Sequence, residues 1–315
     1  MEQLYDSLII LGPTACGKTN LGVYLANQIN GEIISVDSRQ VYRGLDIGSG
    51  KDLDEYGKIP YHLIDIAGLD SEYNVFDFHK DASRAYSGIR SRGNIPVFVG
   101  GTGMYLDAII RGYDFVEVPV NPDLRAELAG LPPEILINRL LSLRPEVHNS
   151  SDLIERPRLV RAIEIAEFIK KNKSDVSLQP TESRLQKPFL NPYILGVRID
   201  RSELRKRIRD RLESRIQEGM IEEVRNLNTA GIGWERLERL GLEYRYTAEL
   251  LQGKISSEKE YTELLYTAIC QFAKRQETWF RRMERKGVQI AWVKNGNRGD
   301  ALALITPVFP AGRIE

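Results

Sequence analysis

The stretch Gly12-Pro13-Thr14-Ala15-Cys16-Gly17-Lys18-Thr19 carries more chemistry than any other in the chain. Its spacing, G-x-x-x-x-G-K-[ST], makes a phosphate-binding loop when a strand precedes it and a helix follows. Leu8-Ile9-Ile10-Leu11 supplies a buried-strand run, and Leu21, Leu25 and Ile29 recur at helical spacing. Gly12 and Gly17 let the backbone wrap closely, so that successive N–H groups across Thr14, Ala15 and Cys16 converge on an anion. The helix N-terminus adds partial positive charge, Lys18 a full one, and Thr19 offers a hydroxyl to Mg²⁺. Cys16, at that N-terminus and beside Lys18, is expected to have a lowered thiol pKa and to react with alkylating reagents.

Further candidates lie where strands end. Glu32-Ile33-Ile34-Ser35-Val36-Asp37-Ser38 is a strand pattern ending in a carboxylate. In an open parallel sheet the ligand crevice lies beyond the carboxyl ends of the strands, so Asp37 comes near the loop if the two strands are neighbours. It then either orients Mg²⁺ or Lys18, or takes part in the chemistry directly. Ile95-Pro96-Val97-Phe98-Val99 empties into Gly100-Gly101-Thr102-Gly103, either a second line of ligand contact or tight packing at a turn. Leu204, Ile208, Leu212 and Ile216 mark an apolar helix face with Arg211 and Arg215 at its margin. Such an arginine snorkels or meets a buried anion. Arg205, Lys206 and Arg209 read as a solvated face. Lys274-Arg275-Gln276-Glu277-Thr278-Trp279-Phe280-Arg281-Arg282 is basic and aromatic: a nucleic-acid contact, or a helix with aromatic core and solvated charge.

The elements that must position these residues follow in order. Gln40 to Lys51 lacks a clean period and reads as a loop; Tyr61 to Asp65 reads as a strand. Phe78, Ala82, Ala85 and Ile89 mark a helix, and Met104 to Ile110 another. Around Pro119 the texture changes: prolines punctuate the chain, helical stretches at Glu134–Leu143 and Arg156–Ile169 follow, and Lys170 to Pro188 turns polar. Pro192 to Val197 resumes as a strand, and Gln289 to Val293 looks like a last one. The expected fold is α/β: a P-loop NTPase-like core with a parallel sheet and flanking helices over 1–118 and 189–315, with a small helical insertion at 119–188.

With 315 residues, 42% apolar and 28% charged, the chain has room for a full core. Lysine plus arginine, 44, equals aspartate plus glutamate, 44, so any nucleic-acid surface must be a local patch. The two cysteines have no metal or redox spacing, and the three histidines are scattered. The N-terminus lacks a signal pattern and a span, so a cytoplasmic protein with no membrane partner is expected. A monomer is expected as well.

Taken together, Gly12–Thr19, Ile33 to Gly44 and Gly100-Gly101-Thr102 resemble the tRNA dimethylallyltransferases. So do Pro157-Arg158-Leu159-Val160-Arg161-Ala162, Arg207-Ile208 with Arg211, and Lys274 to Arg281. The resemblance implies transfer of a five-carbon prenyl group from dimethylallyl diphosphate to N6 of an adenine, with Mg²⁺. In the family that adenine is position 37 of tRNAs reading codons that begin with U. The phosphate loop would hold the leaving diphosphate with Lys18, Thr19 and Arg211; Asp37 would accept a hydrogen bond from N6, and Thr102 would lie beside the reacting centre. Asp37, Ser38, Arg39, Gln40, Thr102, Arg125, Pro157, Arg158, Leu159, Val160 and Arg161 would touch tRNA, the insertion gripping the anticodon stem. Cys16 stands where the family mostly has serine or alanine, Arg39 where a small or apolar residue is common, and Glu243 where Gly precedes the tyrosine. The rival readings are prenylation of a free adenine nucleotide and a small-molecule kinase on the same fold.

Overall fold

The computed structural model describes residues 5–111, 118–143, 155–172 and 190–309. It divides into two compact units, Met1–Gly112 with Lys187–Glu315, and Tyr113–Gln186. The first is built on six parallel strands in the order β3-β2-β4-β1-β5-β6. They are β1 (Ser7–Leu11), β2 (Gly31–Val36), β3 (Tyr61–His62), β4 (Ile95–Gly100), β5 (Pro192–Arg198) and β6 (Ala291–Lys294). β1 and β2 are buried along their whole length, as strands covered by helices on both faces must be.

Side chains alternate between the two faces. Leu8 and Ile10 join the core made with α1 (Lys18–Gln28), through Leu21 and Leu25; Ile9 and Leu11 join the opposite core with α2 (Val75–Ser91) and α3 (Gly103–Arg111). α2 starts on a capping box in which Asn74 accepts from Asp77 N and Asp77 returns the bond. The strand expected over Tyr61–Asp65 closes after His62, because Leu63 and Asp65 are left-handed at φ 63° and 57°.

The second unit holds α4 (Pro122–Ala129), α5 (Pro133–Leu143) and α6 (Arg156–Lys171) around Leu124, Leu128, Leu136, Leu140, Leu159 and Ile163. Its sequence-expected polar stretch, residues 173–188, lies outside the described residues.

After β5 come α7 (Arg201–Gln217), α8 (Met220–Thr229), α9 (Trp234–Arg239), α10 (Leu242–Leu251), the 28-residue α11 (Glu258–Arg285) and, past β6, α12 (Arg298–Ile305). Gly219, at φ 102°, makes the break between α7 and α8. α11 crosses the sheet's carboxyl edge: Tyr261, Leu265, Ile269 and Ala273 pack in the β1-Leu8 core, Phe280 and Met283 in the β1-Ile9 core. Among the described residues no helix is long and apolar enough to cross a membrane.

Candidate functional site

The phosphate loop leaves β1 through Gly12, where a Cβ would stand 2.6 Å from Cys16 Sγ. Ala15 and Gly17 take left-handed conformations at φ 61° and 83°, turning the intervening backbone into a concave nest at the start of α1. Lys18 is half-buried and its ammonium donates to the Pro13 carbonyl at 3.2 Å. Thr19 is half-buried on the first turn of α1.

Asp37 sits one strand further away than neighbouring strands would put it. β4 intervenes between β1 and β2, so the turn after β4 lies between the loop and Asp37. Thr102, on that turn, donates its N–H to Val36 O at 3.3 Å and accepts from Ser38 N at 3.3 Å. Asp37 Oδ1 accepts from the backbone N–H groups of Arg39 and Gln40, at 2.8 and 3.4 Å. Loop, threonine and carboxylate thus stand in a row along the carboxyl edge.

They open on one cavity of about 370 Å³, lined by Thr14, Lys18, Thr19, Asp37 and Thr102 and, from α7, by Arg211 and Arg215. Tyr56, Val99, Leu242 and Phe272 contribute its apolar wall. Arg211 and Arg215 line the cavity on which the loop opens, and both pair with Asp52. Burial and the neighbouring Arg211 push the Arg215 guanidinium below its ordinary pKa, against the pull of Asp52. Burial likewise raises the Glu243 carboxyl, which lines the same cavity. Arg39 lies beside Gly241, whose backbone, at φ 126°, would put a Cβ 3.2 Å from Arg39 Nε.

Several side chains do other work than their motifs suggest. Cys16 is 1% exposed, and burial raises its thiol pKa, outweighing the opposite pull of Lys18 and Arg211. The expectation of a reactive Cys16 is therefore corrected: alkylation of the native protein should label the half-buried Cys270 first and Cys16 only on unfolding. Rapid native labelling of Cys16 in a peptide map would contradict this. Gln40 is buried, its amide donating to Gly50 O at 2.9 Å and accepting from Ser35 Oγ at 2.7 Å, so its side chain supports the loop. Arg209 is partly exposed, as a solvated face requires, and is also held there: it clasps Glu263 at 2.7 and 3.0 Å and stacks on Tyr266.

In the second unit Leu159 is a core residue, 1% exposed, and its side chain cannot reach RNA. Arg125 makes a bidentate pair with the buried Glu164 at 3.1 and 3.0 Å, and Arg161 pairs with the same carboxylate. Pro157 and Arg158 are exposed and Val160 half-buried.

The residue that sequence reasoning missed is Gln276. It is buried where α11 crosses the sheet edge; its Oε1 accepts from Thr14 N at 2.8 Å and its Nε2 donates to Gly101 O at 2.9 Å. A Cβ at Gly101 would collide with its amide, and one at Gly103 would come within 2.5 Å of Trp279. Gly101 and Gly103 thus serve close packing against α11. The signal was present: Ala273, Gln276 and Phe280 share one helical stripe, with a polar group in the middle. Gln276→Leu should cost about 1–3 kcal/mol by stranding the Gly101 carbonyl and the Thr14 amide; chemical denaturation measures this, and an unchanged midpoint would argue against the clamp.

The family model described as IPP transferase matches residues 40–283, and that described as isopentenyl transferase matches residues 5–58. A relative from Treponema denticola, tRNA dimethylallyltransferase 2, is 54% identical over 93% of this chain and 97% of its own. One from Geotalea uraniireducens, tRNA dimethylallyltransferase 1, is 52% identical over 94% of each. The crystal structure of a tRNA isopentenylpyrophosphate transferase from Bacillus halodurans superposes with a TM-score of 0.68 at 29% identity, covering 96% of this chain and 97% of that one. A eukaryotic dimethylallyltransferase, at 23% identity and a TM-score of 0.77 over 98% of this chain and 81% of its own, shares the fold. With a matching family model over most of its length and relatives at half identity end to end, the chain belongs to the tRNA dimethylallyltransferase family, on an α/β fold of the P-loop NTPase type.

Proposed function

We propose that this protein transfers the dimethylallyl group of dimethylallyl diphosphate to N6 of adenosine 37 in tRNAs that read codons beginning with U. The observation that carries this reading is the single cavity in which the phosphate loop, two arginines, Thr102 and Asp37 meet. One end suits a diphosphate, the other an amine that must lose a proton. Acceptance of tRNA is supported by the names of the relatives.

The donor's diphosphate lies against Lys18, Thr19, Arg211 and the loop amides. The Thr14 N–H is spent on Gln276, so Thr14 contributes its hydroxyl side of the cavity. The C–O bond of the donor breaks with its electron pair going to the diphosphate, the N6 lone pair forms the new C–N bond, and the N6 proton passes to Asp37. Two backbone donors fix one Asp37 oxygen and leave the other for the amine. Thr102 orients, being a poor base. The exocyclic amine is delocalised and weakly nucleophilic, so alignment and proton acceptance are what the protein must supply.

Thr19 and Asp37 offer one hydroxyl and one carboxylate on the same cavity. Among the described residues no cluster of three or more metal-binding side chains exists. That donor set fits Mg²⁺, which keeps water and takes phosphate oxygens from substrate. Bound there it would spread charge building on the departing diphosphate. In the second unit the exposed Pro157 and Arg158 are the residues proposed to meet the anticodon stem.

The test incubates the protein with dimethylallyl diphosphate, Mg²⁺ and unmodified tRNA, with free adenine nucleotides in parallel, and maps the product by mass. Prenyl-adenosine in the anticodon loop is the expected product. Label found only on AMP, ADP or ATP, or phosphate transfer from ATP to a small molecule, would replace this reading.

A further inference from the structure

We propose that Asp52 is a positioning residue for the donor's diphosphate, acting through Arg211 and Arg215; the proposal rests on the function just described. One oxygen of Asp52, Oδ2, accepts from Nη2 of Arg211 at 3.0 Å and from Nη2 of Arg215 at 3.3 Å. A single carboxylate thus gathers two guanidiniums from successive turns of α7.

The floor beneath them is Gly50, at φ 66°, where a Cβ would collide with both Nη2 atoms. That floor is pinned from three sides. The Glu223 carboxylate accepts from the N–H groups of Asp46, Ile47 and Gly48 at 2.9, 2.6 and 3.2 Å. The buried Lys51 ammonium donates to Tyr42 O at 2.9 Å, to Asp46 Oδ1 at 2.6 Å, and to Asp65. Gln40 holds the Gly50 carbonyl. Asp52 follows immediately in a left-handed conformation, φ 45° and ψ 49°, which aspartate tolerates better than most residues.

Two adjacent cations repel, and the Arg215 side chain is only 10% exposed, against 34% for Arg211. Without a counter-charge the freer Arg211 would swing towards water. Glu243 lines the same cavity, but burial disfavours its ionised form, which leaves Asp52 as the charge in direct contact with both arginines. Each guanidinium has five N–H donors, and Asp52 takes one from each. Arg215 gives another to Gly48 O at 3.5 Å. The remaining donors are what the diphosphate meets, alongside Thr14 and Lys18 on the cavity wall.

The competing role has the opposite sign. If Asp52 merely stood in the anion's place, its removal would free the arginines and tighten donor binding. Calorimetric titration of the whole protein with dimethylallyl diphosphate and with inorganic diphosphate, both with Mg²⁺, separates the two. Asp52→Ala should weaken both ligands on the order of tenfold, the size of a coupling between neighbouring groups. It should raise KM for the donor but not for tRNA. Asp52→Asn, which keeps the acceptor and loses the charge, should recover part of the loss. Because Asp52 acts through the arginines, adding it to Arg211→Ala should cost little more than Arg211→Ala alone. Tighter binding by Asp52→Ala, unchanged binding, or full additivity with Arg211→Ala would each overturn the proposal. A wild-type protein that binds diphosphate but prenylates no tRNA would instead overturn the functional reading and leave the role of Asp52 standing.

Discussion

Replacing Asp37 by Asn is expected to slow prenyl transfer roughly 10²–10⁴-fold, the usual contribution of a positioned proton acceptor. Affinity for dimethylallyl diphosphate should change little. The substitution is informative because Asn can still accept the N–H groups of Arg39 and Gln40 that hold Asp37 Oδ1 at 2.8 and 3.4 Å. The turn after β2, and with it Ser38 and Thr102, therefore keeps its shape. What is lost is charge and basicity at the oxygen proposed to face the acceptor amine. A purely metal-orienting Asp37 makes a different pattern: donor and Mg²⁺ affinities fall together, and excess Mg²⁺ restores part of the rate. Single-turnover rates measured across a Mg²⁺ titration of the Asn variant distinguish them. Recovery with added metal would rule out the proton-acceptor role.

Asp37 also illustrates where sequence reasoning reached and where it stopped. The phosphate loop was legible because its parts are contiguous: Leu8–Leu11, the two glycines and the first turn of α1 make the nest by themselves. Asp37 was legible as a residue at a strand's carboxyl end, but its distance from the loop depends on strand order. Nothing local to β2 says that β4 lies between it and β1. Cys16 went the other way. The helix N-terminus and the lysine are both there, yet the packing of its Sγ under Gly12 decides the outcome, and burial outweighs the neighbouring charges. The run Lys274 to Arg282 reads as a nucleic-acid contact or as a helix with aromatic core and solvated charge. Its decisive member is the neutral Gln276, because α11 leaves one core and enters the other at that point. Leu159 sat inside a basic motif, and only the packing of α4, α5 and α6 shows that it faces inward.

Lys18→Ala is the second large effect, and its signature should be confined to the donor. Loss of a preorganised cation aimed at developing negative charge typically costs about 10²–10³ in rate. The ammonium lies along its own loop, 3.2 Å from Pro13 O, so it is already within the nest proposed to receive the diphosphate. Arg211 and Arg215 line the same cavity from α7, but each gives an N–H to Asp52. Among the three, Lys18 is the only one without a carboxylate partner among the described residues, and the alanine variant leaves that role unfilled. Arginine is a poor replacement, since its planar fork is larger than the point charge that the turn encloses. Transfer should therefore fall in both Lys18→Ala and Lys18→Arg, with weaker binding of inorganic diphosphate. tRNA affinity, measured by filter binding without donor, should stay at the wild-type value. A parallel loss of tRNA affinity would mean that the loop and the RNA surface are one coupled unit, and the division of labour along this cavity would have to be abandoned.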